Sequence, residues 1–148
     1  MPEIKKILVP VDFSENSQKI LRTAAEFAAT FKAELAVVFV VQSFDDYSGF
    51  FVPHMPIIQL EEEMVNSARE KMKSFVAETL SESSPRSTAV ISGDVAEEIN
   101  RFAAAEKADL IIMGTHGYKG LDKILFGSVA EKIVKGAPCP VLTINPYR

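Results

Sequence analysis

Two short stretches constrain the fold more than anything else in this chain. Leu35 to Val41 reads LAVVFVV, and Asp109 to Met113 reads DLIIM. Unbroken apolar runs of this length suit strands buried on both faces, as in a parallel sheet covered by helices. Between and around them lie segments with a helical repeat. From Ser14 to Phe31 the apolar positions Ile20, Leu21, Ala24, Phe27, Ala28 and Phe31 recur at three- and four-residue spacing. From Ile57 to Leu80 a second stripe runs through Leu60, Met64, Ala68, Met72, Phe75, Val76 and Leu80. Val95 to about Glu106 forms a third helix, opened by Asp94 and Glu97 as a capping box. Ser128 to Lys135 forms a fourth, with Ser128 and Glu131 in the same pattern. Shorter β-rich runs stand at Ile4–Pro10, Arg86–Ile91 and Val141–Ile144. The alternation is five strands with four intervening helices. Right-handed crossovers then give an α/β fold: one open parallel sheet with helices on both faces, in a single domain over residues 1–148.

One segment departs from the alternation. Gln42 to Pro56 contains Gly49, Pro53 and Pro56 among Phe44, Tyr47, Phe50 and Phe51. Fifteen irregular residues is long for a structureless connection. It reads as a lid, as a contact for a protein partner, or as aromatics packed on the following helix. His54 within it supports nothing specific.

Composition narrows the function. Twenty acids against 16 bases give a net charge of -4, so there is no global positive field to hold a nucleic-acid backbone. The lone cysteine, Cys139, excludes an internal disulfide and a Cys-based zinc cage. Its setting, Pro138-Cys139-Pro140-Val141, reads as a buried small hydrophobe, since a redox thiol needs a basic surround. No run approaches a membrane span or a signal-peptide core, and a cytoplasmic location is expected.

In an open parallel sheet, ligands bind beyond the carboxyl ends of the strands, where the strand order reverses. Two segments there carry unusual residues. One is Pro10-Val11-Asp12-Phe13-Ser14. The other runs from Gly114 to Ser128 and holds four of the seven glycines: Gly114, Gly117, Gly120 and Gly127. Glycine permits positive φ and close approach of a ligand to main-chain amides. The segment leads from a buried strand into a helix N-terminus, so amides and helix dipole together make an anion site, with Lys119 and Lys123 at its mouth. A phosphate ligand is the inference, with simple turns as the alternative. Neither G-x-x-x-x-G-K-[ST] nor G-x-G-x-x-G is present.

Gly114-Thr115-His116-Gly117, nine residues, then Gly127-Ser128 resembles the G-x2-G-x9-G-[ST] motif of the ATP-binding branch of the universal stress protein family. ILVPVDFSE, GDVAEEI and PCPVLTI look like the same family. The resemblance implies a five-stranded sheet of order 3-2-1-4-5, Rossmann-like, in a homodimer that binds ATP. It places Pro10 and Val11 as a wall beside the adenosine, Asp12 near it, and the main chain of Val40 against the adenine. Met113 would lie near base or ribose. Gly114, Thr115, His116 and Gly117 would wrap the ribose and phosphates, and Gly127, Ser128 and Val129 would face the phosphates. Mg²⁺ would be held mainly by phosphates and water, with no direct protein ligand. Val95 stands where the family often has proline.

Three residues carry competing readings. Asp12 is either a nucleotide contact or a helix-start acid paired with Glu15. Ser128 is either a phosphate ligand or a helix cap. His116 has no visible acid–base partner and shapes the loop. With no catalytic constellation evident, the expected function is an ATP-binding stress-response protein acting as a nucleotide-dependent switch. A slow ATP hydrolase and an interaction module with a vestigial pocket are the alternatives. The last strand, Val141, Leu142, Thr143 and Ile144, falls at a sheet edge and is the expected homodimer contact.

Overall fold

The computed structural model describes residues 3–43, 57–115 and 128–147. In chain order these form β1 (Lys6–Pro10), α1 (Glu15–Phe31), β2 (Glu34–Gln42), α2 (Ile57–Thr79), β3 (Arg86–Gly93), α3 (Val95–Ala105), β4 (Leu110–Gly114), α4 (Ser128–Gly136) and β5 (Val141–Ile144). All four strand pairings are parallel, in the order β3-β2-β1-β4-β5. The expected sheet is therefore observed.

The chain steps outward from β1 through β2 to β3, then crosses back to β4 and continues to β5. Right-handed crossovers demand that the helices change sides at that reversal. They do. One core cluster joins Ile7, Val9, Leu35 and Val37 to Ile20, Leu21 and Ala24 of α1 and to Met72, Phe75 and Val76 of α2. The other joins Leu8, Ala36, Val38 and Ile111 to Ala96, Ile99 and Ala103 of α3 and to Ala130 and Ile133 of α4. The fully apolar runs fall on the inner strands, where both faces are covered, and Ile7, Leu8, Val9, Val37, Val38, Ile111 and Ile112 are wholly buried.

Several boundaries differ from those read off the sequence. β3 runs on to Gly93, because the Gly93 carbonyl still accepts from the Ser43 amide at 3.0 Å. β4 starts after Asp109, whose Oδ2 accepts the amides of Lys5 and Lys6 at 2.9 and 3.0 Å and clips β4 to β1. The apolar stripe of α2 also frays at its start. Ala68, Met72, Phe75, Val76 and Leu80 are buried, but Met64 is 38% exposed. Steps of four residues drift about 40° around a helix with 3.6 residues per turn, so Met64 has rotated off the core face. Cys139 is half-buried rather than buried, and it packs at the margin of the α3–α4 core. Burial and then the nearby Asp109 push its thiol pKa up, which keeps it in the unreactive protonated form. Residues 44–56, with His54, lie outside the described residues. Among the described residues no helix is long and apolar enough to cross a membrane.

Candidate functional site

The helices change sides between β1 and β4, and in an open parallel sheet the carboxyl ends of two such strands are where a ligand crevice forms. The β1 side is built by local chemistry. Val11 continues the strand by one bond, its amide donating to the Val38 carbonyl at 2.9 Å, and its side chain is buried. The chain then turns through Phe13 in the left-handed region, φ 67°. That conformation is costly for an aromatic residue and persists where the surroundings enforce it. Phe13 stacks on Phe39 at 4.5 Å and meets Phe75 edge-on at 5.5 Å. Two serines fix the other side of the turn. Ser17 Oγ accepts from the Asp12 amide at 2.9 Å and donates to Asp12 Oδ1 at 2.7 Å. The Ser14 amide donates to the same oxygen at 3.0 Å, and so does the Ser14 hydroxyl.

This arrangement corrects the pairing of Asp12 with Glu15 as a capping signature. Ser14 is the N-cap of α1, its hydroxyl accepting from the Ser17 amide at 3.2 Å. Asp12 instead braces the turn that precedes the helix. All the bonds it accepts from described residues end on Oδ1, which leaves Oδ2 without a bond from a described residue. Ser14 and Ser17 were not singled out from the sequence. The signal available was a hydroxyl three residues beyond a capping serine, too common to weigh alone.

Val40 lies one pairing step past the end of β1. The Glu34 amide bonds to β1 and the Leu35 and Ser43 amides bond toward β3, so even-numbered residues of β2 direct their main-chain groups at β1. The Val40 carbonyl therefore points beyond the Val11–Val38 bond, and no described residue pairs with it. Pro10 is half-buried beside it and pairs with Val38. Across the crevice Met113 is buried on the α3–α4 face. Gly114 ends β4 beside Ile144. The Thr115 amide and hydroxyl both reach the Ile144 carbonyl, at 2.9 and 3.4 Å. Ser128 and Val129 open α4, and both are exposed. The residues before Ser128 lie outside the described residues, and the choice between cap and phosphate ligand for Ser128 lies there with them. His116, Gly117 and Gly127 lie outside the described residues. Pro10, Val11, Asp12, Val40, Met113, Gly114 and Thr115 thus lie at one end of the sheet. Among the described residues no group of three or more His, Cys, Asp or Glu is placed to hold a metal.

The family model described as the universal stress protein family matches residues 3–145. The chain belongs to that family. Universal stress protein MJ0531 of Methanocaldococcus jannaschii is 37% identical over 143 residues, covering 95% of this chain and 82% of the relative. Among solved structures, MJ0577 of the same organism superposes with a TM-score of 0.80 at 29% identity, covering 97% of each chain. A universal stress protein of Archaeoglobus fulgidus, solved in complex with dAMP, shares the fold at a TM-score of 0.58 and 23% identity, covering 97% of this chain and 99% of that one.

Proposed function

We propose that this universal stress protein binds ATP with Mg²⁺ at the β1–β4 crevice and works as a homodimeric, nucleotide-dependent switch rather than as an enzyme. The observation that carries the reading is the pair of acceptors on the β1 side that no described residue bonds, the Val40 carbonyl and Asp12 Oδ2, at the same end of the sheet as Gly114 and Thr115, where the glycine motif begins. Acceptors suit the amino group of a purine and the hydroxyls of a ribose. Main-chain amides at a helix start suit phosphates. Pro10 and Val11 would wall the base, Val40 would read its edge, and Asp12 would take a ribose hydroxyl. Met113 would pack against the nucleoside. Gly114, Thr115, His116 and Gly117, with Gly127, Ser128 and Val129, would hold the phosphates. Mg²⁺ would then be bound by phosphate oxygens and water.

The switch reading rests on Thr115. It heads the glycine segment, and it is tied through its amide and hydroxyl to the carbonyl of Ile144, the last residue of β5. β5 is an edge strand. The Pro140 and Ile144 carbonyls bond toward β4, so Val141 and Thr143 direct their main-chain groups outward, available to a second copy. A loop rearrangement on nucleotide binding would thus reach the homodimer edge through one residue. The test is to denature freshly purified protein and identify any released nucleotide by chromatography and mass spectrometry. ATP at near one per chain is the expected result. No nucleotide, with no thermal shift on adding MgATP, would overturn the reading. Mostly ADP would favour a slow hydrolase instead.

A further inference from the structure

The sheet has two free edges, and the second is longer. β3 spans eight residues, Arg86–Gly93, against four in β5. Its inner ladder fixes which groups face out. The carbonyls of Pro85 and Gly93 both bond toward β2, so odd-numbered residues face inward and the main-chain groups of Arg86, Thr88, Val90 and Ser92 face outward. No described residue pairs with them. Protected edges carry prolines, charges or bulges. β3 has no proline and, past Arg86, no charge, and its ladder to β2 runs without a bulge from Arg86 to Gly93.

We propose that the β3 edge pairs antiparallel with the β3 edge of a second copy of this chain, extending the sheet across a two-fold axis. Two features commit the edge to this occupant. The first is helix spacing. α2 packs on both β2 and β3, so it straddles them. With strands about 4.8 Å apart, pairing β3 with its copy sets the two α2 helices about 10 Å apart on the same face. That matches the 8–10 Å of packed helices. α3 also packs on β2 and β3, and it would meet its copy the same way on the other face.

The second feature is charge order. Beside β3, α2 lines two shallow clefts of about 600 and 370 Å³. Glu61 and Glu62 lie at the Ser92 end, and Lys73, ion-paired with Glu70 at 3.3 Å, lies at the Thr88 and Val90 end. Asn66 and Arg69 line both clefts, and an Arg69 Nη1 to Asn66 Oδ1 bond of 3.2 Å links them. The Ser92 end is therefore acidic, Arg69 is central, and the other end carries Lys73 with its Glu70 partner. A two-fold axis near Ala89 turns one line against the other, so that Glu62 of each copy meets the Lys73 end of its mate. Thr88 then faces Val90 in hydrogen-bonded pairs.

The test measures amide exchange by NMR and sedimentation velocity on the full chain over a range of concentrations. The amides of Thr88, Val90 and Ser92 should gain protection as concentration rises. Thr88→Pro should weaken this association at least tenfold while sparing the fold, because Thr88 is exposed and its amide bonds no described residue. Lys73→Glu should weaken it likewise, and Glu62→Lys combined with Lys73→Glu should restore it. Thr143→Pro leaves the β3 step intact, so this proposal and the β5 dimer fail separately. If the three amides exchange equally fast at all concentrations, or if Thr88→Pro changes neither readout, the proposal is wrong. Protection that appears only with added cell extract would assign the edge to a foreign strand and overturn it equally.

Discussion

Ser17→Ala tests the construction of the crevice most directly. Ser17 is 8% exposed, and among the described residues it is the one buried polar side chain. Its hydroxyl makes one bond to the Asp12 amide and one to the Asp12 carboxylate, and the carboxylate in turn holds Ser14. Alanine fits the space, so the cost is electrostatic. A neutral hydrogen bond contributes ~1 kcal/mol and one to a charged group ~2 kcal/mol. Asp12 is half-buried, and water recovers part of this. A net loss of about 2 kcal/mol is expected, equivalent to a fall of about 4–8 °C in Tm for a domain of this size. The assay is urea unfolding of Ser17→Ala, Asp12→Asn and the double variant. Because the two residues share their bonds, the double variant should lose less than the sum of the singles, with a coupling above ~0.5 kcal/mol. The Phe13 turn loses its brace in each variant, so MgATP affinity should fall in all three. Strict additivity, or a Tm within 1 °C of the parent, would refute the bracing role of Asp12.

Three further outcomes follow from other parts of the structure. Gly93 sits at φ +145°, and a Cβ there would lie 2.5 Å from Glu98 Cγ. Gly93→Ala should cost ~2 kcal/mol or more in chemical denaturation, and adding Glu98→Ala should recover only the contact part, because the backbone strain remains. Thr143→Pro should abolish the β5 homodimer in sedimentation while keeping the melting profile of the folded chain, since the Thr143 amide faces outward. Lys6 bonds to Glu34 at 3.3 Å and lies 3.6 Å from Glu106. The Glu34 bond holds its ammonium pKa above the usual lysine value, against a smaller opposing pull from burial, and Glu106 adds to the rise. A raised folded-state pKa means the stabilisation is fully present below the ordinary lysine pKa and is lost as pH climbs through the folded value. Lys6→Met should therefore cost less than ~1 kcal/mol, evenly from pH 6 to 9, and the difference from the parent should shrink above about pH 10.5.

The architecture was legible because it is written in long-range contrasts of hydrophobicity. LAVVFVV became the doubly covered β2, and DLIIM, less its aspartate, became the core of β4. The capping box at Asp94 also held, its carboxylate accepting from the Glu97 amide at 3.2 Å. The box read at Asp12 failed. Asp12 and Ser14 are both good caps by type, and the sequence cannot say which of two neighbours starts the helix. The positive φ of Phe13 decides it, by turning the chain after Asp12 so that Ser14 meets the first free amides.

The site was legible in part for a related reason. Its position follows from topology alone: once the strand order reverses between β1 and β4, the helices part there and a crevice must open. Its chemistry follows from main-chain parity, which no side-chain pattern records. Val40 was assigned a main-chain role from family resemblance. β1 ends short of Val40, and no described residue bonds its carbonyl. The same parity marks Thr143 on one edge and Thr88 on the other as residues whose amides face outward. In an open parallel sheet, an alternate residue beyond the last ladder bond is a free hydrogen-bonding group at a strand end or a free pairing group at an edge. A proline placed there removes the amide without breaking the fold, and this makes each such position separately testable.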